Sequence, residues 1–402
     1  MERIVLAYSG DLDTSVAIPW LAGKYAAEIV TVTIDLGQGK ELEVVRDRAL
    51  AAGAARAHVL DVREEFARDY VLRALRANAG LTSGALGRPL LASKLVEIAA
   101  IEQAHAIAHG STGKAPDRGR IDLEGRLDVV VRALNPGITL LAPAREWGLT
   151  QLEKIEYARA RGISVPSTVD SRYGIHVNLW ERSIDRGALE DAWTELPEEM
   201  YTLTKPAEEC PSQPAHVEMT FERGVPTAIN GVVMPLVELI ASLGTIAGAH
   251  GVGRGVSSHG IYEAPAAVVL HSAHAELQRM VSTRDAERFS RLVSLHYDDI
   301  VFNGLWFTPL REALDAYIDK VQERVTGVVR LKLFKGVCRV AGRKSPFAQY
   351  RRAAAEGAGE TVDHPDEGGL IKILGLPSGT AARKPTVASP QSAVVAIDGS
   401  KG

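Results

Sequence analysis

The sequence contains little cysteine, no long hydrophobic run and no surplus of basic charge. Its two cysteines, Cys210 and Cys338, lie far apart and lack the Cys and His neighbours of a zinc site, so we expect free thiols in a reducing compartment. No apolar run reaches the roughly 18 residues that a transmembrane helix needs. Lys and Arg number 46 against 50 Asp and Glu, a balance that argues against nucleic acid as a partner.

Length and composition indicate a globular protein with more than one core. The chain has 402 residues, of which 46% are hydrophobic, and this length suits two domains. The first residues enter a strand pattern directly, without a hydrophobic leader. We therefore expect a soluble, cytoplasmic protein that contacts neither membrane nor nucleic acid.

Strand and helix patterns alternate through the first third of the chain. The predicted strands are Arg3–Ala7, Glu28–Leu36, Ala57–Val62, Ala104–Ala108 and Ile138–Ala142. The predicted helices are Leu12–Tyr25, Lys40–Ala52 and Glu64–Ala77. This alternation predicts a parallel sheet with right-handed crossovers and helices on both faces. Ligands of such sheets bind beyond the carboxyl ends of the strands, so we expect the chemistry in the loops after Ala7, Leu36 and Ala108.

Beyond Ser164 the pattern becomes that of an α+β domain. Strands His216–Phe221 and Thr227–Ile229 flank a Gly-Val-Pro connection, and Asn230-Gly231 signals a turn. A second hairpin is predicted around Lys335-Gly336, and apolar residues from Leu310 to Val325 fall on one face of a long helix. We predict a nucleotide-binding domain over 1–164, a second domain over 165–358, an arm over 359–380 and a disordered tail over 381–402.

The segment from Ala7 to Ser15, AYSGDLDTS, has the composition of a phosphate-binding loop. It follows a strand and opens a helix, where small residues let backbone amides approach an anion and the helix N-terminus adds partial positive charge. Taken alone, the segment is better explained as a plain strand-to-helix turn capped by Ser and Thr.

This segment resembles the S-G-G-x-D-S/T loop of the ATP-pyrophosphatases, and those of the argininosuccinate synthase family in particular. Further stretches are similar to the same family, and the similarity extends from about residue 3 to about residue 378. These stretches are Thr33–Gly39, His109–Lys114, Asn178–Trp180, His250–Arg254, Ile261–Ala266 and Asn303–Trp306. The resemblance implies an α/β fold: a parallel-sheet nucleotide-binding domain like the adenine nucleotide alpha hydrolases, an α+β synthetase and multimerisation domain, and a C-terminal arm.

The resemblance also implies an activity, a ligase of arginine biosynthesis and the urea cycle that forms a carbon-nitrogen bond. The ureido oxygen of citrulline attacks the α phosphorus of ATP and releases pyrophosphate, and the amine of aspartate then displaces AMP to give argininosuccinate. ATP with Mg²⁺ and a homotetramer with interlocking C-terminal segments belong to the same expectation.

Site residues follow from the resemblance position by position. Aspartate would be bound by Thr112 and Asp117, and citrulline by Arg120, Ser183 and Tyr262. Asp13, Thr112 and Asp117 are the expected catalytic residues, and no protein ligand for a metal is predicted. The expected ATP-binding residues are Ala7, Tyr8, Ser9, Gly10, Asp11, Leu12, Asp13, Thr14, Ser15, Ile34 and Gly110.

Several positions depart from the family pattern. Asp11 stands where the family has a second glycine, Pro116 replaces an asparagine that touches both amino acids, and Gly174 replaces a first citrulline serine. About five residues are missing ahead of Arg88, and about nine, including a glutamate expected at the citrulline amine, between Arg254 and Ile261. Two alternatives therefore stay open: a paralogue that adenylates another ureido, amide or carboxyl compound, and a non-catalytic binding paralogue.

Other prominent residues have structural interpretations. We expect Trp306 in a core or a subunit interface, and His109 as a packed residue rather than a base. Lys114 either neutralises phosphate charge or is a solvated loop lysine. The helix from Leu310 to Val325 is interpreted as an oligomer arm.

Overall fold

The amino-terminal part of the chain is organised by a parallel five-stranded sheet. The computed structural model describes residues 2–39, 42–80, 84–111, 126–164, 175–184, 193, 196–257, 260–349, 369 and 371–373. Residues 1–349 belong to one compact unit and 350–402 to another. The strands are β1 (Arg3–Ala7), β2 (Glu28–Asp35), β3 (Arg56–Asp61), β4 (Ala106–Ala108) and β5 (Thr139–Leu141), in the order β3-β2-β1-β4-β5.

Helices cover both faces of this sheet, as the alternating pattern predicted. Along β1, Val5 packs into one hydrophobic cluster while Ile4 and Leu6 pack into another, because successive strand residues point to opposite faces. The helices are α1 (Leu12–Tyr25), α2 (Leu42–Ala51), α3 (Arg63–Phe66), continued through a π turn (Ala67–Val71) into α4 (Leu72–Arg76), then α5 (Arg88–Ile101), α6 (Arg126–Leu134), α7 (Pro143–Glu146) and α8 (Gln151–Ala160).

The strand predicted to begin at Ala104 begins two residues later. Gln103 has a φ of +53°, and the Ala104 amide donates to the Ala99 carbonyl 2.8 Å away. Residues 103 and 104 therefore cap α5, and the strand can form only from Ala106.

The rest of the compact unit contains two antiparallel sheets with four long helices. The strands are β6 (Ile175–Val177), β7 (Arg182–Ile184), β8 (Ala215–Glu222), β9 (Val225–Ile229), β10 (Val232–Val233), β11 (Arg254–Ser257), β12 (Gly260–Glu263), β13 (Gly327–Phe334) and β14 (Val337–Lys344), in sheets ordered β10-β9-β8-β13-β14 and β11-β12-β7-β6. The helices are α9 (Leu236–Ala249), α10 (Pro265–Val281), α11 (Arg284–Phe302) and α12 (Pro309–Gln322). The α/β class with an added α+β part is thus confirmed.

Two local predictions in this part were wrong. The turn between β8 and β9 is made by Arg223 and Gly224, with φ of +51° and +79°, and Pro226 lies within β9. Helix α12 ends at Gln322, because the Val325 amide turns back to the Gln322 carbonyl at 3.0 Å. Val325 is fully buried beyond the helix end, whereas Leu310 is 55% exposed.

Among the residues described above, none of the helices combines the length and the apolar character needed to cross a membrane.

Candidate active site

The turn after β1 has the backbone of an anion-binding loop. Gly10 has a φ of +82°, and a Cβ at this position would lie 3.2 Å from Arg48 Nη1 and 3.3 Å from Val45 Cγ1. Glycine is therefore favoured at position 10, because other residues rarely adopt this conformation and a Cβ would crowd Arg48 and Val45. Asp11 has a φ of −84° and occupies the N-cap position of α1 without a capping bond from its side chain, so the position where the sequence departs from the family needs no left-handed backbone.

Hydroxyl groups close the loop on itself. Ser9 Oγ lies 3.1 Å from Thr14 Oγ1, and Tyr8 OH lies 3.0 Å from Ser15 Oγ. The Asp11 carbonyl accepts the Ser15 amide at 3.0 Å, which starts the helix. The amides of the first turn of α1 have no partner within the helix and carry its partial positive charge, which favours an anion here.

Opposite charges flank the loop. Arg48 Nη1 of α2 donates to the Gly10 carbonyl at 2.8 Å. Burial raises the pKa of Tyr8, while the charges of Arg48 and Asp11 change it in opposite directions, which places both charges near this tyrosine. Arg48 therefore offsets part of the negative charge that Asp11 brings to the loop.

Loops from neighbouring strands meet the phosphate loop at the carboxyl edge of the sheet. A Cβ on Gly110, which follows β4, would lie 2.8 Å from Thr14 Cγ2. The Tyr8 carbonyl accepts from Thr33 Oγ1 of β2 at 2.9 Å. Ile34, one residue further, is buried, and its carbonyl accepts the Gln38 side-chain amide at 2.6 Å. The predicted ATP-binding positions of three strands thus lie side by side.

A buried histidine orients the loop that contains Gly110. His109 Nδ1 accepts the Ser111 amide at 3.3 Å, so the ring proton is on Nε2, which donates to Asp128 Oδ1 at 2.5 Å. Burial alone would raise the pKa of Asp128, but its hydrogen bonds with His109 and Arg145 hold that pKa below the ordinary value. His109 is a packed, positioning residue in this arrangement, as expected.

Asp13, predicted to be catalytic, is paired with a lysine from a distant helix. Lys154 Nζ of α8 contacts Asp13 Oδ1, and the lysine is 8% exposed. This ion pair fixes the first turn of α1 against α8 and brings a cation to the same end of the helix that an anion would approach.

The amino-acid half of the predicted site lies in the β11-β12-β7-β6 sheet. Ser183 of β7 pairs directly with Tyr262 of β12, so the two residues predicted at citrulline are neighbours on one face. Ser183 Oγ is fully buried and has no hydrogen-bond partner in the part of the chain that the structure describes. The Tyr262 ring lies over Gly255, where a Cβ would come within 2.3 Å of the phenol oxygen.

This hairpin is attached to the nucleotide-binding sheet. The Leu179 amide, between β6 and β7, donates to the Leu36 carbonyl at 2.7 Å. Gly37 has a φ of +91°, and a Cβ there would lie 3.0 Å from Leu179 Cβ. The loop after β2 and the hairpin that carries Ser183 are therefore in direct backbone contact.

Other predicted residues lie outside the described part of the chain. These are Thr112, Asp117 and Arg120, together with Lys114, Pro116 and Gly174. Trp306 is described: it is 3% exposed and stacks on Tyr70 with ring centroids 5.0 Å apart, which places it in the core of this unit.

Two family models together match almost the whole chain. The description "Arginosuccinate synthase N-terminal HUP domain" applies to residues 3–164, and "Arginosuccinate synthase C-terminal domain" to residues 173–381. The chain belongs to the argininosuccinate synthase family.

Individual members of the argininosuccinate synthase family are similar over nearly their full length. The argininosuccinate synthase of Rubrobacter xylanophilus is 47% identical over 393 residues, which is 94% of this chain and 94% of that protein. That of Geobacillus thermodenitrificans is 45% identical over 392 residues, 94% of this chain and 95% of the relative. That of Dehalococcoides mccartyi strain BAV1 is 45% identical over 390 residues, 93% and 95% respectively.

The charged partners of the loops in this family member leave no signal in the sequence. Arg48, Asp128 and Lys154 reach the site from other helices, and no local pattern distinguishes them from surface charges. The contact of Glu181 Oε1 with the Gly84 amide, at 2.6 Å, was also not predicted.

Proposed function

We propose that this chain joins L-citrulline and L-aspartate to form argininosuccinate, with conversion of ATP to AMP and pyrophosphate. The observation that carries the proposal is the juxtaposition of two half-sites. A phosphate loop with Gly10 at positive φ lies at the sheet edge. The hairpin that carries the buried Ser183 is bonded to the next loop of that edge, and Ser183 pairs across the strands with the partly buried Tyr262.

The nucleotide would lie across the loops after β1, β2 and β4. First-turn amides of α1 face the phosphates, and Gly110 keeps the space beside Thr14 open. The fixed amides require little reorganisation as charge develops on the departing pyrophosphate, so they would stabilise the transition state electrostatically. The other main contribution to catalysis would be the positioning of the ureido oxygen against the α phosphorus. Attack by that oxygen requires no general base on the protein.

The two amino acids are assigned to residues of the second half-site and of the loop after Gly110. Ser183 and Tyr262 would contact citrulline. We also propose that Arg120 binds citrulline and that Thr112 and Asp117 bind aspartate. The alternatives of another acceptor or of a non-catalytic paralogue find no support among the relatives, which are named argininosuccinate synthases.

Magnesium is proposed to enter with the nucleotide. Among the described residues, no group of three or more His, Cys, Asp or Glu side chains is arranged to hold a metal ion. Mg²⁺ commonly binds through substrate phosphates, water and only one or two carboxylates, which this site allows. Bound there, the ion would neutralise phosphate charge. We also propose a homotetramer acting in the cytoplasm, on the resemblance described above.

The test is a product balance. Purified protein is incubated with ATP, Mg²⁺, aspartate and citrulline, and AMP, pyrophosphate and argininosuccinate are quantified. We expect the three products in equal amounts and no aspartate-dependent AMP when citrulline is omitted. Release of ADP and phosphate, or nucleotide cleavage that does not depend on citrulline, would contradict the proposal.

A further inference from the structure

An arginine of helix α2 holds one peptide of the phosphate loop. Arg48 Nη1 donates to the Gly10 carbonyl at 2.8 Å. Gly10 lies one residue before the N-cap of α1, so its carbonyl is outside the hydrogen-bond ladder of that helix. Arg48 thus supplies a charged donor to a peptide that the helix does not itself fix.

The packing of α2 determines where this arginine points. Val45, one turn earlier, is buried, and a Cβ on Gly10 would meet both Val45 Cγ1 and Arg48 Nη1. Residues three apart share a helix face, so the face of α2 that packs on the loop also carries the guanidinium. Arg46 lies off this face, because it is exposed and its guanidinium contacts the neighbouring Asp47 at 3.0 Å.

The bond at the carbonyl sets the direction of the amide on the same peptide. The Gly10–Asp11 peptide is trans and planar, so its N–H points away from Arg48. That Asp11 amide is directed at Ser9 Oγ, 3.4 Å away, and Ser9 Oγ in turn lies 3.1 Å from Thr14 Oγ1. The amide therefore faces the hydroxyl-lined side of the loop, where the phosphates are proposed to bind. A contact of 3.4 Å is long for a hydrogen bond, and a phosphate oxygen would be the better acceptor.

Glycine makes this peptide easy to rotate in the absence of such a bond. Gly10 is in the left-handed region at a φ of +82° and has no Cβ to restrict its ψ. Asp11, at a φ of −84°, lies inside the broad allowed region, so the peptide can turn appreciably before either residue is strained. Such a rotation would move the Asp11 amide off the line to a bound phosphate, and hydrogen bonds weaken steeply with misalignment.

We propose that Arg48 is a positioning residue for ATP: by holding the Gly10 carbonyl, it keeps the Asp11 amide directed at the phosphates. The inference rests on the proposed function, because it requires ATP to occupy this loop. It also bears on the position where the sequence departs from the family, since aspartate supplies the same backbone amide as glycine.

The experiment measures the Kd of Mg²⁺-ATP by calorimetry without either amino acid, and then the KM of ATP and kcat with both. Arg48→Met removes the donor but keeps an aliphatic stem. We expect its Kd and KM to rise about 3- to 10-fold, because a rotated peptide lowers the fraction of binding-competent protein, and kcat at saturating ATP to change little, because bound ATP restores the orientation. Arg48→Lys, which retains a charged donor, should recover part of the affinity. Arg46→Met removes the same charge from the same helix and should shift the Kd by less than about twofold.

Salt separates this role from a simple attraction between Arg48 and the phosphates. The loss of affinity in Arg48→Met should persist between about 0.05 and 0.5 M salt, because it comes from peptide orientation rather than from charge at a distance. If the loss disappears at high salt, or if Arg46→Met weakens ATP binding equally, Arg48 acts only through its charge and the inference is wrong. A fall in kcat and in Tm with an unchanged Kd would make Arg48 a structural residue and would equally overturn the inference.

The proposed function is tested separately. Wild-type protein that binds ATP but forms no argininosuccinate would overturn that function alone, because the affinities are measured without either amino acid. Wild-type protein that binds no ATP would overturn both.

Discussion

Ser183 offers a test in which stability and function move in opposite directions. Its hydroxyl is fully buried without a partner among the described residues, and an unmade hydrogen bond of this kind costs about 1 to 3 kcal/mol. Ser183→Ala removes that cost from the ligand-free protein. For a compact unit of residues 1–349, an unfolding entropy of about 2.1 cal/mol/K per residue converts this range to a rise in Tm of roughly 1 to 4 °C.

The matched control is a second fully buried serine whose hydroxyl is satisfied. Ser15 Oγ lies 3.0 Å from the OH of Tyr8, which is itself buried. Ser15→Ala leaves that phenol without this partner, so we expect Tm to fall by roughly 1 to 4 °C. The two variants delete the same atom at the same burial and should shift Tm in opposite directions.

The assay is thermal unfolding with and without citrulline, together with steady-state kinetics. Citrulline should stabilise wild-type protein against unfolding and stabilise Ser183→Ala much less, and the KM of citrulline should rise by about tenfold in that variant. A fall in Tm for Ser183→Ala comparable to that of Ser15→Ala, with an unchanged KM, would refute the assignment of Ser183 to a ligand and make it a structural residue.

Three further perturbations address the nucleotide loops. Asp11→Asn removes the charge without changing the shape of the side chain. We expect the variant to bind ATP about tenfold more tightly at low salt, and this gain in affinity to shrink at high salt. Weaker binding would show that the carboxylate contributes to ATP binding. Gly110→Ala places a Cβ 2.8 Å from Thr14 Cγ2, so it should weaken ATP binding and lower the free energy of unfolding by about 1 to 3 kcal/mol. The control is Gly23→Ala, in open space on helix α1, which should raise the free energy of unfolding by about 0.5 to 1 kcal/mol. Equal effects of the two variants in urea unfolding would contradict this. Folding lowers the pKa of Asp128 from 3.8, so its ionised form stabilises the protein above that pH, and the stabilisation is lost as the pH falls below it. Asp128→Asn should therefore lower the free energy of unfolding at neutral pH. In urea titrations, the difference in this free energy between variant and wild type should narrow below pH 3.8.

Much of the fold could be predicted from the sequence, because the turn and helix-start signals lie within a few residues of the elements they define. Gly10 follows a strand and precedes a helix, and Asn230-Gly231 takes the positive φ values that a tight hairpin requires. Helix α12 ends at Gln322, three residues before the predicted end, because the buried Val325 continues the apolar spacing beyond the last helical hydrogen bond. Periodicity alone cannot distinguish a residue buried in a helix from one buried just beyond it.

The site was predictable only where the family pattern contains the residue. Arg48 reaches the Gly10 carbonyl from a helix 38 positions away in sequence, and its role depends on how that helix packs. The burial of Glu181 and its contact with Gly84 are likewise consequences of tertiary structure. Side chains that reach the site from elements distant in sequence therefore could not be predicted and are seen only in the folded structure.

The bond from the Leu179 amide to the Leu36 carbonyl has a consequence for the order of events at the site. A Cβ at Gly37 would lie 3.0 Å from Leu179 Cβ, so a shift of the loop after β2 would be transmitted to the hairpin that carries Ser183. We therefore expect occupancy of one half-site to change the affinity of the other, and linkage requires the effect to be equal in both directions. Citrulline should bind more tightly in the presence of a non-hydrolysable ATP analogue, by the same factor with which citrulline tightens binding of the analogue.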